Sequence, residues 1–184
     1  MPDRSSSSSA FLRHPFPPLF DRDSRILILG SFPSPKSREA MFFYGHPQNR
    51  FWKVMAQLLR WKGTGAGFTV PSSVEEKRAM LLANHIALWD TIASCDITGA
   101  SDQSITNVTP NDLSIIFKNT EIRAVFCNGA ASHRLYMKYI FPANGREAVK
   151  LPSTSPANAA WSVERLVSAW SCILDYLRPA SSLR

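Results

Sequence analysis

Ile26-Leu27-Ile28-Leu29 is apolar at every position, and this lack of alternation is the strongest constraint in the sequence. A strand with one wet face alternates apolar and polar residues, whereas a strand covered on both faces need not. Three further short runs have similar character, so strands are expected over 25–31, 86–89, 122–127 and 149–151. None approaches the length of a membrane span. Helical patterns lie between them. Phe51, Val54, Met55, Leu58 and Leu59 recur at helical spacing. Ser72 with Glu75, or Ser73 with Glu76, offers a capping box before a stretch ending at Leu82. Asn111 is expected to cap a short helix through Phe117, and Leu135, Tyr136, Tyr139 and Ile140 mark another. Val163, Leu166, Val167, Trp170, Ile173, Leu174 and Leu177 form one continuous apolar stripe, read as a single last helix. Strands alternating with helices imply an α/β fold, a three-layer α/β/α sandwich around a mostly parallel four-stranded sheet. Chemistry on such a sheet sits beyond the carboxyl ends of the strands, here after Ser31, Trp89, Cys127 and Leu151.

A chain of 184 residues has room for one domain. The domain is expected over 25–178, after an extended or mobile tail at 1–24 that contains Ser5 to Ser9, and before a frayed end at 179–184. Only 19% of residues are charged, yet 21 Lys and Arg face 14 Asp and Glu, a formal charge of +7. That balance points to an anionic partner, nucleic acid before an acidic membrane surface. A basic enzyme with no polyanion partner has the same composition. Cys95, Cys127 and Cys172 form neither a CxxC pair nor a Cys/His cluster, so a reducing compartment and no metal are expected. The N-terminus lacks the apolar stretch of a secretory signal.

Two segments at the carboxyl edge carry unusual chemistry. After the first strand comes Gly30-Ser31-Phe32-Pro33-Ser34-Pro35, a loop stiffened by two prolines. It leads into Phe42-Phe43-Tyr44-Gly45-His46-Pro47-Gln48-Asn49-Arg50-Phe51-Trp52. A core needs the aromatics but not the polar groups among them, whereas stacking a base and reading its edge needs both. Phe51 and Trp52 are expected in the core. His46 could be a general acid or could brace the loop. Asn49 could cap the following helix or orient a water or a base. The second segment, Pro152-Ser153-Thr154-Ser155-Pro156-Ala157-Asn158, joins a strand to the last helix and offers hydroxyls that can grip phosphate oxygens. Glycine-rich 63–67 follows a helix and lacks a Lys-Ser/Thr pair, so it is a connection rather than a phosphate loop. A Ser153/His46/Asp90 triad is set aside for want of a Gly-x-Ser-x-Gly elbow. Asp90 is expected to cap a helix or brace a loop.

Together these segments resemble the uracil-DNA glycosylase superfamily, nearest to its deoxyinosine (hypoxanthine) branch. The resemblance spans about residues 25–177. Its most specific piece is Tyr44 to Trp52, similar to the His-Pro-x-Asn-Arg-Phe-Trp run of that group. Leu29 to Ser34, Ala87 to Asp90 and Leu151 to Pro156 support it. Two positions depart from the pattern. Phe32 stands where mismatch-specific relatives carry a water-positioning Asn, and Leu151 stands where uracil-specific enzymes carry a catalytic His. The deoxyinosine branch similarly lacks both groups.

The resemblance implies a DNA glycosylase that needs no cofactor. It would hydrolyse the bond to a flipped deaminated base in double-stranded DNA, most readily hypoxanthine, and leave an abasic site. Uracil or mismatch cleavage, and a DNA-binding relative without catalysis, are the alternatives. It further implies Asn49 as the catalytic residue, holding water through its amide oxygen, with His46 aiding the leaving base. The base would stack on Tyr44 and meet Gly30, Ser31, Phe32, Pro33 and Ser34. DNA contacts are expected from Ser132, Lys150, Pro152, Ser153, Thr154, Ser155 and Asn158. The enzyme would act as a monomer, in a bacterial cytoplasm at the nucleoid, away from membranes.

Overall fold

Every residue of the first apolar run is fully buried, and consecutive residues serve opposite faces of one sheet. In a computed structural model, residues 9–63, 68–98 and 102–178 are described. The chain runs β1 (Ala10–Arg13), β2 (Ile26–Gly30), α1 (Pro35–Glu39), α2 (Phe51–Leu58), α3 (Val74–Ala83), β3 (Ile86–Asp90) and β4 (Ile92–Ile97). A short 3₁₀ turn (Asp102–Ser104) leads to β5 (Thr106–Pro110) and α4 (Ser114–Phe117). Then follow β6 (Ala124–Asn128), α5 (Ala130–Tyr139), α6 (Phe141–Asn144), β7 (Ala148–Leu151), α7 (Val163–Trp170) and α8 (Ile173–Leu177).

The expected four-stranded sheet is present, all parallel, in the order β3-β2-β6-β7. Ile26, Ile28, Ile86, Leu88, Phe126 and Leu151 meet α2, α3, α7 and α8 through Val54, Met55, Met80, Leu166, Trp170 and Ile173. Leu27, Leu29, Ala87, Val125 and Cys127 meet the other side through Leu113, Ile116, Tyr136 and Ile140. Two apolar faces covered by helices make the three layers. The capping box falls on Ser73 and Glu76. Ser73 Oγ accepts from the Glu76 amide at 3.1 Å, and Glu76 Oε2 accepts from the Ser73 amide at 3.4 Å.

Three expectations are corrected. Residues 10–24 are not a tail. β1 pairs antiparallel with β4, from Ala10–Ile97 to Arg13–Ser94, and Phe16 and Leu19 are buried. β4 also pairs with β5, so a three-stranded antiparallel sheet stands beside the parallel one. Its strands carry no long apolar run, and the partner of β1 comes from distant chain rather than from local pattern. Asn111 caps nothing; its amide donates to the carbonyls of Asp90 and Ile92 at 2.9 and 3.1 Å, and Asp112 takes the Ser114 amide instead. The last stripe is one face but two helices. At the break, Ser171 Oγ donates to the Ser168 carbonyl at 2.7 Å and the Leu174 amide bonds Ser171 three residues back. Such local bonds tighten and end a helix, while Leu166, Trp170 and Ile173 stay fully buried. The expectations for residues 1–8, for the 64–67 part of the glycine-rich connection and for residues 179–184 lie outside the described residues.

Burial pushes the Cys127 thiol from near 9 up to about 12, against a smaller lowering by Ser132. An acid whose folded value is raised favours the fold below its unfolded value and loses that contribution as pH rises toward the folded one. Stability is therefore expected to fall between about pH 9 and pH 12, and Cys127→Ala to flatten that fall, measured by urea denaturation across this range.

Candidate active site

Gly30, Asp90, Asn128 and Leu151 end the four parallel strands and bring their carboxyl ends to one edge. Beyond it opens a cleft of about 510 Å³. Gly30, Ser31, Phe32, Pro33, Ser34 and Tyr44, the residues expected to bind the base, all line it, as do Asn49 and His46. Ser153, Thr154 and Ser155 form the facing wall.

Tyr44 reaches the cleft from a left-handed backbone conformation, φ 51°, which costs an L-residue roughly 1–2 kcal/mol. Its ring stacks on Phe51 at 4.1 Å with an interplanar angle of 24°. One ring face is thus committed to the protein, and the ring lines the cleft. Phe51 and Trp52 are buried core residues, as expected from their place in α2. Phe32 is buried, with the Arg38 guanidinium over its ring and Arg38 Nη1 donating to the Pro33 carbonyl.

Asn49 is the centre of a hydrogen-bond chain that joins the two loops. Its Oδ1 accepts from the Phe51 amide and from the Thr154 hydroxyl, both at 2.9 Å. Thr154 Oγ1 in turn accepts from Asn128 Nδ2 at 2.9 Å, and Asn128 Oδ1 accepts from the Thr154 amide at 3.0 Å. The amide N–H of Phe51 requires an acceptor, which fixes which end of Asn49 is oxygen. Both lone-pair directions of that oxygen are filled. This corrects the expectation that Asn49 holds water through its oxygen: the group it has left is its NH₂, a donor. The N-cap position expected of Asn49 falls to Arg50, which has no side-chain cap bond; Asn49 instead takes the first amide of α2 from one residue earlier while it lines the cleft.

His46 takes the bracing role and also lines the cleft. Its Nδ1 accepts from the Gln48 amide at 3.2 Å, bracing the turn, and its ring lines the cleft.

Arg50, to which the sequence assigned no role, holds the second loop in place. Its Nε donates to the Thr154 carbonyl at 3.2 Å, Nη1 to Trp161, and Nη2 to Ser155 and Asn158. Its own amide adds a 3.1 Å bond to Thr154. A guanidinium presents five N–H donors in a fixed fork, which suits a bent row of carbonyls as an ammonium cannot.

Several expected DNA contacts turn out to be internal. Ser132 is fully buried, with Oγ 2.8 and 3.0 Å from the carbonyls of Leu29 and Gly30. It lies on the first turn of α5, on the side facing the sheet. Thr154 is fully buried in the Asn49 chain. Asn158 turns inward, donating to the Ser153 carbonyl at 2.9 Å. Pro152 accepts from Trp170 Nε1 at 3.0 Å. Ser153 and Ser155 accept bonds from the amides of Ser155 and Ala157, which leaves each hydroxyl proton to donate outward. Lys150 is exposed on β7. Gly129, at φ 94°, lets Ser153 approach: a Cβ there would stand 2.9 Å from Ser153 Cβ.

Asn128 was also missed. Its signal was its place, directly after the third expected strand, where it ends β6.

Arg50→Lys is expected to leave the fold intact but to free the second loop. Hydrogen exchange followed by mass spectrometry should speed up at least tenfold in a peptide covering 153–161, with α3 unchanged.

Comparison with known proteins points in one direction. The family model for the Uracil DNA glycosylase superfamily matches residues 17–174. The chain is 30% identical over 167 residues to a protein of Methanosarcina acetivorans named hypoxanthine DNA glycosylase, covering 90% of this chain and 99% of that one. It is 31% identical over 158 residues to a protein of the same name from Methanosarcina barkeri, covering 85% and 94%. The solution structure of a Methanosarcina acetivorans protein assigned to the uracil DNA glycosylases superposes with a TM-score of 0.73 at 29% identity, over 91% of this chain and 99% of that one.

Proposed function

The chain belongs to the uracil DNA glycosylase superfamily, and from that footing we propose that it is a DNA glycosylase that releases hypoxanthine from deoxyinosine in duplex DNA. The carrying observation is the convergence of Tyr44, Asn49, His46 and the first loop on one cleft at the carboxyl edge of the sheet. The names of the two Methanosarcina relatives support hypoxanthine as the base. The superposed structure, assigned to uracil chemistry, favours uracil as the second reading.

The residues can be given parts. A base mispaired in the duplex leaves the stack at the least cost. In the cleft it would lie against Tyr44 and the backbone of the first loop. Breaking the C1′–N9 bond leaves an oxocarbenium-like sugar and an electron-rich purine. A water then adds to C1′ and its proton passes to solvent or to the purine. Asn49 NH₂ would donate to one lone pair of that water, leaving the other to face C1′. This is positioning, since an amide has no useful basicity. His46 would supply a proton or a hydrogen bond to the leaving purine. Ser153 and Ser155 would donate to phosphates beside the flipped nucleotide, with Lys150 on the wider basic surface.

The test is base release from a duplex with one central deoxyinosine, read after alkaline strand cleavage, beside a deoxyuridine duplex. Wild type is expected to cut at inosine. Asn49→Ala is expected to lose at least 100-fold in single-turnover rate while binding an abasic duplex as before, and that binding should weaken with added salt. Cleavage at uracil alone would move the assignment to the second reading. Binding without release from either duplex would end the enzyme assignment.

A further inference from the structure

Two basic side chains of α1, Lys36 and Arg38, line the cleft, and the steps above use neither. They differ in setting. Lys36 is exposed, and its ammonium pairs with Glu39 at 2.8 Å. Arg38 is half-buried. Its guanidinium lies over the Phe32 ring, 5.9 Å from the centroid, and its Nη1 donates to the Pro33 carbonyl at 2.8 Å. Among the described residues it forms no ion pair. The carboxylate of the cleft, Asp90, is held by His14, whose Nε2 lies 2.8 Å from Asp90 Oδ2.

Drawing a charge out of water without an opposite charge is costly, and an aromatic face recovers part of that cost. A guanidinium carries five N–H donors in one plane. One of them is spent on Pro33, and that bond and Phe32 together fix the plane. The other donors meet no acceptor among the described residues. The short helix that carries Arg38 is itself fixed against the segment that carries Tyr44. Ser37, buried beside it, accepts from the Gly45 amide on its Oγ at 3.0 Å and from the Phe42 amide on its carbonyl at 3.1 Å. A Cβ on Gly45 would stand 2.8 Å from the Lys36 carbonyl oxygen, so the two segments meet backbone to backbone. The fork of Arg38 and the ring of Tyr44 thus hold a fixed relation within one cleft.

We propose that Arg38 is a specificity-determining residue of the cleft, its remaining N–H donors taking O6 and N7 of a flipped hypoxanthine. This rests on the glycosylase reading of the cleft, with hypoxanthine as the base. Two adjacent acceptors on a purine edge are what a guanidinium fork meets best, the pairing by which arginine reads guanine. Deamination of adenine creates that pair. It replaces the N6 amino donor with the O6 acceptor and leaves N7 as it was. Arg38 therefore bonds hypoxanthine twice and meets adenine with donor against donor. Guanine offers the same two acceptors, so Arg38 separates hypoxanthine from its parent and not from guanine. Uracil has only C5–H beside its O4, which puts the purine ahead of the pyrimidine. When the C1′–N9 bond breaks, the purine keeps the electron pair, and O6 and N7 share its charge. Hydrogen bonds from a cation strengthen as that charge grows, so the contact favours the transition state over the bound base. A phosphate is the other acceptor that suits a guanidinium. The seat of Arg38 against Phe32 and Pro33, among the residues given to the base, favours the purine edge.

The experiment compares single-turnover release from duplexes carrying deoxyinosine and 2′-deoxynebularine, whose purine keeps N7 and has hydrogen in place of O6. Arg38→Met removes the fork and keeps a chain to lie on Phe32. It should slow release from inosine about 100-fold and from nebularine no more than about tenfold. The preference for inosine then narrows about tenfold, with abasic-duplex affinity and its salt dependence unchanged. Arg38→Lys keeps the charge without the fork and should narrow the preference about fivefold or more. Where release from nebularine is too slow to time, affinities for the same two bases in uncleavable 2′-fluoroarabino duplexes supply the ratio, with the same narrowing expected. Equal losses on both bases, or none, overturn the proposal while the hypoxanthine reading stands. Equal losses with weaker abasic-duplex binding and a shallower salt slope assign Arg38 to a phosphate, and equal losses without those changes assign it to bracing the first loop. If Arg38→Met does not fold, Arg38→Lys decides by the same ratio. Absence of hypoxanthine release by wild type overturns the reading and the proposal together.

Discussion

The fork of Arg50 on the carbonyls of Thr154, Ser155, Asn158 and Trp161 is the interaction on which the cleft depends. The two loops that face one another are about a hundred residues apart in sequence, and each leaves a different strand. Nothing local obliges them to meet. A guanidinium placed where the chain enters α2 ties the second loop to the start of that helix. Asn49, the residue before it, then bonds Thr154 as a consequence. The cation holding the wall and the amide facing the cleft are neighbours in sequence, so the placement of one follows from the other.

The same economy governs the polar groups around the edge of the sheet. Asn49, Thr154 and Asn128 satisfy one another. Ser132 reaches the carbonyls of the first strand. Asn111 pins the backbone around Asp90. Side chains that would be costly if left unmet in a buried setting are closed into short chains, and these chains set the positions of the groups left to face the cleft. Several hydroxyls that looked like phosphate ligands are spent in this way. Fewer hydroxyls are left to face outward than a count of small polar residues implies, with Ser153 and Ser155 among them.

The small antiparallel sheet gives the cleft its remaining side. Ile97 of β4 lines it, and β1 brings His14 to Asp90. A parallel sheet alone offers one open edge. The added sheet, with Phe16 and Leu19 buried behind it, closes part of that edge with aromatic side chains. Within this setting a single carboxylate acquires a direction.

How much could be read in advance follows from the range of the forces. The four parallel strands were legible because burial on both faces demands unbroken apolar runs, and Ile26 to Leu29 is such a run. The box at Ser73 and Glu76 was legible because its bonds span three residues. Tyr44, His46 and Asn49 could be singled out because so many polar groups among aromatics have no use in a core. By contrast, β1 pairs with β4 across a long separation, and the strands of that sheet have weak patterns of their own, so His14 was lost in a supposed tail. The break at Ser171 was hidden because the apolar stripe crosses it unbroken. Ser132 and Thr154 have the same composition whether they face a phosphate or a carbonyl, and only the packing of α5 and of the second loop decides between them. The sequence by itself therefore determined the layers, the strands that set the edge and the residues that could act there, because burial and local hydrogen bonding are written in neighbouring residues. Which lone pairs and protons remain free to act was decided only by the tertiary structure, because each is a remainder left after distant groups have met.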